Sequence, residues 1–233
     1  MTSNVQGAVA RFVIVGGAPS TAVDDAAAGL RQANTVREVR RFGGFALSAD
    51  PSFPRTPTLH ALFALSSADP LDDDAWAKAT ASLDVAAERF DVALEAVRFV
   101  GDDWGIGVRD DDVGVVQPDD AVLAVISARV HDDHRAAFED ASARAVDQAR
   151  RDPEFLGGCR LEGTPADAIS FSCWRSARGA GRYAYTDGPH QHAKDNATIE
   201  AWVDFDSIFF ATFRVLRAHG SLCGINPFDT GRS

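Results

Sequence analysis

AVLAVISARV, residues 121–130, is the stretch that decides the fold, because this β-branched apolar run of strand length leads directly into a helix. The helix is predicted from Asp132 to Arg151, with acids at its positive end and bases at its negative end. Four more elements follow in the order strand, strand, helix, strand. They are predicted at residues 155–161, at 169–174, from Ser176 through a break at 187–189 to 200, and at 209–216.

The first half of the chain shows the same element order. Its strands are predicted at residues 11–15, 36–42, 58–65 and 92–100, and its helices at 21–33 and 72–90. A proline-marked loop is predicted at 50–57, and a Gly- and Asp-rich connection between the halves at 101–120. Two copies of one β-α-β-β-α-β pattern indicate a duplication.

The pattern predicts an α+β fold with two tandem ferredoxin-like βαββαβ units, residues 1–115 and residues 116–233. A four-stranded sheet with both helices on one face leaves the other face bare, so the two sheets are expected to pack together within the chain. The result is an intrachain dimeric α+β barrel. The space between the sheets is the expected ligand cavity.

Composition excludes several classes of partner. The 233-residue chain has a net charge of −11, which disfavours nucleic acid and anionic membranes. No apolar stretch reaches the roughly 20 residues of a membrane helix, and the N-terminus does not resemble a signal peptide, so a cytoplasmic protein is predicted. The three cysteines lack zinc-site spacing and are interpreted as free thiols. Homo-oligomerisation is left open.

Three short motifs carry a resemblance to a known family. They are DPEFLGG at residues 152–158, FSCWRS at 171–176 and GPHQH at 188–192. With them, residues 121–228 resemble the antibiotic biosynthesis monooxygenase-like family of the dimeric α+β barrel superfamily. FATFRVLRAHG at 210–220 and GINPF at 224–228 are more similar to the spheroidene monooxygenase-like branch. The first half lacks the matching Trp and His, so its unit is interpreted as degenerate and the second unit as the one that carries the site.

The resemblance implies an oxygenase of apolar substrates, with haem as a possible cofactor or none at all. His190 is then the candidate axial haem ligand, and so the only candidate metal ligand, or a general base. The alternative is a histidine that caps the broken helix after Pro189. His192 is the weaker candidate, assigned to the substrate pocket.

Other residues of the second unit are candidates with an ordinary alternative beside each. Tyr183, Tyr185 and Arg182 are candidate catalytic groups, although a phenol packed at the rim and a solvated, acid-paired arginine are the favoured explanations. Arg175 and Arg178 could hold a haem propionate or another carboxylate. Trp174, Phe210 and Phe213 could line an apolar pocket or belong to the core.

Three functions are compatible with these residues. The first is a monooxygenase-like oxidoreductase that acts on an apolar small molecule in secondary metabolism. The second is a cofactor-free cyclase, isomerase or dehydratase that uses His190 and a tyrosine for acid–base chemistry. The third is a non-catalytic protein that binds haem or another ligand. The fold does not choose between them.

Overall fold

The computed structural model describes residues 9–33, 35–47, 59–66, 72–101, 114–163, 166–186, 188–192, 195 and 200–229. In the first half these contain strands β1 (Val9–Gly16), β2 (Val36–Leu47), β3 (Leu59–Ser66) and β4 (Glu88–Gly101), with helices α1 (Ser20–Gln32) and α2 (Asp73–Ala79). In the second half they contain strands β5 (Val122–Val130), β6 (Phe155–Gly163), β7 (Ala166–Trp174) and β8 (Val203–Gly220), with helices α3 (Arg135–Arg150) and α4 (Ala177–Tyr185).

The strands close into one antiparallel barrel in the order β1-β3-β2-β6-β7-β5-β8-β4. Each half contributes four neighbouring strands, and the halves join where β2 pairs with β6 and where β4 pairs with β8. At the first seam a Cβ on Gly44 would lie 2.0 Å from the carbonyl oxygen of Arg160, so only glycine fits there. The closed barrel confirms the predicted dimeric α+β barrel.

The barrel interior is a packed core. Strand residues alternate between the two faces, and the inward set is rich in phenylalanine. Phe12 of the first half stacks on Phe171 of the second with ring centroids 4.1 Å apart. Phe63 and Phe213 meet across the halves at 5.6 Å. The expected ligand cavity between the sheets is therefore filled by aromatic side chains from both units.

The helices cover the outer faces of the barrel. In the first half α1 and α2 pack on β1, β2 and β3 through Val23, Leu30 and Trp76. In the second half Ala149 of α3 and Ala177 of α4 pack near Trp174. No helix among the described residues is long and apolar enough to cross a membrane.

One predicted element is wrong. The helix predicted over residues 72–90 ends at Ala79, a 3-10 turn follows at Ala81–Val85, and β4 begins at Glu88. Phe90, Val92, Leu94 and Ala96 all face the barrel interior, so the period-two pattern governs this stretch. Most other elements lie within two or three residues of their predicted bounds, but β2, β7 and β8 are longer than predicted. The proline-marked loop lies outside the described residues, as does most of the connection between the halves.

The predicted break in the second helix of the second unit is observed in part. Helix α4 starts after Ser176, whose side chain accepts a hydrogen bond from the Gly179 amide at 3.0 Å, and it ends at Tyr185. Helical backbone resumes at residues 189–192, and Asp195 is helical as well. Most of the remaining residues up to 199 lie outside the described part of the chain.

Candidate functional site

Four aromatic rings form a continuous series of edge-on and tilted contacts on the outer side of the second half, here called the aromatic cluster. Phe155 contacts Trp174 at a centroid distance of 5.3 Å, Trp174 contacts Tyr183 at 4.9 Å, and Tyr183 contacts His190 at 4.4 Å. The aromatic cluster runs from the sheet through α4 to the helical residues 189–192. It packs the His190 imidazole against the ring of Tyr183.

Hydrogen bonds to α3 hold the aromatic cluster in place. The His190 amide donates to Oε1 of Gln148 at 2.9 Å, and the Tyr183 hydroxyl donates to the carbonyl of Ala145 at 3.0 Å. Burial raises the pKa of Tyr183 far above its ordinary value. Tyr183 therefore stays neutral, with its hydroxyl proton donated to the backbone of α3. Its ring packs against His190, and the exposed fraction of the His190 side chain is only 8%.

A row of apolar side chains crosses the outer face of the barrel beside α4. Val100 of β4 and Ile126 of β5 are both register partners of Phe210 on β8, so the three lie side by side. Val100 is 50% exposed and Ile126 is 38% exposed. We call these three residues the apolar row. Contiguous exposed apolar side chains mark a candidate ligand-binding surface when they form a patch, and the apolar row is the candidate on this face.

Arg98 connects the apolar row to α4. Its guanidinium lies 5.5 Å from the centre of the Phe210 ring, and its Nη1 donates to the hydroxyl of Tyr185 at 2.9 Å. Arg98 and Val100 belong to the first half, whereas Phe210, Ile126 and Tyr185 belong to the second. The surface is thus built by both halves at the seam between β4 and β8.

Helix α4 links the two parts of this candidate site. Tyr183 contacts His190 on one side, and Tyr185 contacts Arg98 on another. Both tyrosines named as candidate catalytic residues therefore border the site. They differ in exposure, because Tyr185 is 63% exposed while Tyr183 is largely buried.

The predicted arginines are placed at the surface around α4. Nη2 of Arg182 donates to both carboxylate oxygens of Asp152, at 2.7 Å and 2.9 Å. This hydrogen bonding raises the pKa of the arginine. Arg178 pairs with Asp119 at 2.6 Å. Arg175 is exposed just beyond β7, and its amide donates to the carbonyl of Glu154 at 2.8 Å. Arg182 and Arg178 are thus engaged with acids, which weakens their use as anion ligands.

The predicted pocket residues do not share one surface. Phe213 points into the barrel interior and is fully buried, whereas Phe210 points outward onto the apolar row. Trp174 is buried under α4 in the aromatic cluster. His192 is exposed on the helical segment that follows α4. The structure therefore brings Trp174, Tyr183 and His190 together and separates Phe213 from them.

Three residues of the site were not predicted from the sequence, namely Arg98, Val100 and Ile126. The alternation in the predicted strand at 92–100 places Arg98 and Val100 on one face, opposite Phe99. This alternation alone predicts that Arg98 and Val100 share the face opposite Phe99. Their position beside Phe210 depends on strand pairing between the halves, which no local pattern reveals.

The three thiols lie elsewhere. Cys159, Cys173 and Cys223 are buried in the barrel core, where burial raises the pKa of Cys159 strongly and that of Cys173 to about 12. They are inert packing residues, as predicted for free cysteines. The described residues contain no group of three or more His, Cys, Asp or Glu side chains that could hold a metal ion.

The sequence matches no protein family and no curated protein. Solved structures do resemble the chain. An aldoxime dehydratase in complex with butyraldoxime superposes with a TM-score of 0.52 at 13% identity, over 92% of this chain and 81% of the other. A second aldoxime dehydratase gives a TM-score of 0.51 at 11% identity, over 97% and 84%.

A ferredoxin-fold protein related to antibiotic biosynthesis monooxygenases, from Listeria monocytogenes, covers 93% of this chain and 99% of its own at 10% identity, with a TM-score of 0.35. At these identities the dehydratases establish the fold alone. The chain shares the ferredoxin-like α+β barrel architecture across nearly its whole length.

Proposed function

We propose that the chain is a monooxygenase-like oxidoreductase whose apolar small-molecule substrate binds on the outer face of the second half, between the apolar row and α4. The observation that carries this proposal is the row itself. Val100, Phe210 and Ile126 are adjacent on three paired strands and remain partly exposed beside a helix that borders a buried histidine.

The barrel interior is the weaker location for a substrate. It is filled by stacked phenylalanines from both halves, and a ligand there would have to displace them at the cost of a packed core. The outer face instead offers apolar surface that is already exposed, so a ligand there would bury it without unpacking the protein.

The residue types that a haem requires are present around α4. His190 offers an imidazole beside Tyr183, and the apolar row with Arg98 offers an apolar surface and a cation for a propionate near Tyr185. Ligation of iron by His190 would require this imidazole, which is 8% exposed, to become accessible. When bound, haem would supply the activation of oxygen. The chain's own part would be to hold the iron through His190, to pack that imidazole against Tyr183 while Gln148 anchors the His190 backbone amide, and to exclude water with its aromatic residues.

A cofactor-free cyclase, isomerase or dehydratase is the second candidate. His190 would then act as a general base on an apolar substrate. It is supported by the packing of a single imidazole against Tyr183, whose own hydroxyl is committed to the Ala145 carbonyl and leaves proton transfer to the histidine. The non-catalytic alternative, a haem- or ligand-binding protein, uses the same surface without turnover.

Titration of the purified protein with hemin, followed by visible spectroscopy, tests the haem-dependent form of the proposal. The wild type is expected to develop a sharp Soret band. His190→Ala should lose or shift this band, while His131→Ala, an exposed histidine at the start of the α3 region, should behave as the wild type. The absence of a band in the wild type, or an unchanged band in His190→Ala, would contradict haem ligation at His190.

A further inference from the structure

The apolar row is bordered by Arg98, a cation with no acid partner among the residues whose positions the structure describes. The chain has 34 acidic and 23 basic residues, so most arginines are expected to find a carboxylate. Arg182, Arg178 and Arg214 do so, with Asp152, Asp119 and Glu95 as their partners. For Arg98, the partners within the described part of the chain are instead a phenol oxygen and an aromatic face.

The position of Arg98 is set by the barrel and by α4. It lies on β4 opposite Thr212 of β8, two residues before Val100 and on the same outward face. The Phe210 ring beneath the guanidinium and the Tyr185 hydroxyl beside it restrain its orientation. A guanidinium carries five N–H donors, and the contact with Tyr185 uses one nitrogen, so donors remain for a second acceptor.

We infer that Arg98 recognises a carboxylate on the ligand, so that the site takes an apolar molecule with an anionic group at one end. This inference rests on the proposed function, because it assumes that the ligand body lies on the apolar row. The geometry supports it through three features together: exposed apolar surface, a restrained guanidinium at its border, and the absence of an acid partner for Arg98 among the residues with described positions. The first half thereby contributes the specificity residue of a site whose other groups come from the second half.

A matched pair of fluorescent probes tests the inference. Anthracene carboxylate and anthracene methanol have the same apolar body and differ in charge. The wild type is expected to bind the carboxylate more tightly, and Arg98→Gln should weaken the carboxylate by about tenfold or more while changing the alcohol by less than about threefold. Arg144→Gln, which removes a surface arginine paired with Asp140 on α3, should change neither.

The outcomes separate the two proposals. If the alcohol binds but Arg98→Gln weakens both probes equally or neither, the carboxylate inference is overturned while the apolar site stands. Equal losses in Arg98→Gln and Arg144→Gln would also overturn it, since net charge alone would explain them. If neither probe binds the wild type, the apolar site itself fails.

The carboxylate could belong to a substrate or to a haem propionate, and a second arm distinguishes them. In the dimethyl ester of hemin the two propionates are neutral methyl esters, whereas in hemin they are carboxylates. If Arg98→Gln weakens hemin but leaves the ester unchanged, the cofactor supplies the carboxylate. If both bind Arg98→Gln as they bind the wild type, and the anthracene pair still discriminates, the substrate supplies it.

Discussion

Phe12 and Phe171 stack with their ring centroids 4.1 Å apart, although one belongs to the first strand of the first half and the other to the third strand of the second half. This contact joins the two halves of the chain through one aromatic core. It also occupies the space where a ligand cavity was expected between the sheets. The filled interior is the reason why the proposed binding surface lies outside the barrel.

Truncation of one member of this stack should destabilise the whole chain. Phe171→Ala is expected to lower the free energy of unfolding by about 3 to 5 kcal/mol, because it leaves a cavity in a core shared by both halves. Urea unfolding followed by both fluorescence and circular dichroism measures this, and the two probes should give one coincident transition. Phe205→Ala, at a side chain that is 71% exposed, should stay within about 0.5 kcal/mol. Two separate transitions in the wild type would contradict the shared core.

The seam between β2 and β6 should tolerate no side chain at Gly44. A methyl group there would meet the Arg160 carbonyl oxygen at 2.0 Å, so Gly44→Ala is expected to cost about 1 to 3 kcal/mol of unfolding free energy. Gly181→Ala is the matched control, because a Cβ at that position in α4 meets nothing within 4 Å. Alanine favours a helix, so this variant should gain up to about 1 kcal/mol. Thermal unfolding of both variants provides the comparison, and a neutral Gly44→Ala would contradict the close approach of the strands.

Asp73 should contribute a small stabilisation that is lost in acid, because its ion pairs are largely exposed to solvent. Hydrogen bonds from Arg217 and Arg11 lower the pKa of this carboxyl from 3.8 to about 2. Because the folded pKa is depressed, the stabilisation is present above about pH 4 and is lost as the pH falls toward 2. Melting temperatures of wild type and Asp73→Asn should thus differ at neutral pH and converge near pH 2. A difference in melting temperature that stays constant between neutral pH and pH 2 would argue against the ion pairs. They would also be contradicted if Arg217→Gln lowered the melting temperature as much in the Asp73→Asn background as in the wild type.

Tyr183 should resist ionisation in alkali. Burial raises its pKa far above the ordinary value of 10.0, so its folded form disfavours the phenolate. In Tyr185→Phe, where Tyr183 is the remaining tyrosine, phenolate absorbance should stay absent at about pH 11 while circular dichroism remains native. Because the pKa of Tyr183 is higher in the folded state than in the unfolded state, the folded protein loses stability only when the pH rises above the unfolded pKa of about 10. Phenolate signal below this pH in the folded protein would show that Tyr183 is accessible to solvent.

Much of the fold could be predicted from local patterns, and the second half most fully. The run at 121–130, the charged ends of the following helix and the cap at Ser176 each act within a few residues, and each was placed close to its observed position. The stretch at 72–90 was misassigned because its alanines and acids suit a helix. What decides its second part is the burial of Phe90 in the barrel, a tertiary effect.

The site could be predicted only in part. His190, Tyr183 and Trp174 were candidates and do form one cluster, because all three belong to neighbouring elements of the second unit. Phe210 and Phe213 were assigned together, but their spacing of three residues places them on opposite faces of a strand. Arg98 and Val100 were missed because the pairing of β4 with β8 joins residues more than 100 positions apart.

The central claim is that the ligand lies on the apolar row outside the barrel, and binding of neutral anthracene methanol to Ile126→Asp tests it most directly. A carboxylate at the β5 end of the row should weaken binding by about tenfold or more, and the cost of an Asp in a strand should lower the melting temperature by a similar amount in Ile126→Asp and in the control. The control is Leu216→Asp, which places the same charge at a 48% exposed leucine farther along β8. Loss of binding in Ile126→Asp alone is the predicted result. Unchanged binding in Ile126→Asp, or the same loss in both variants, would contradict the account.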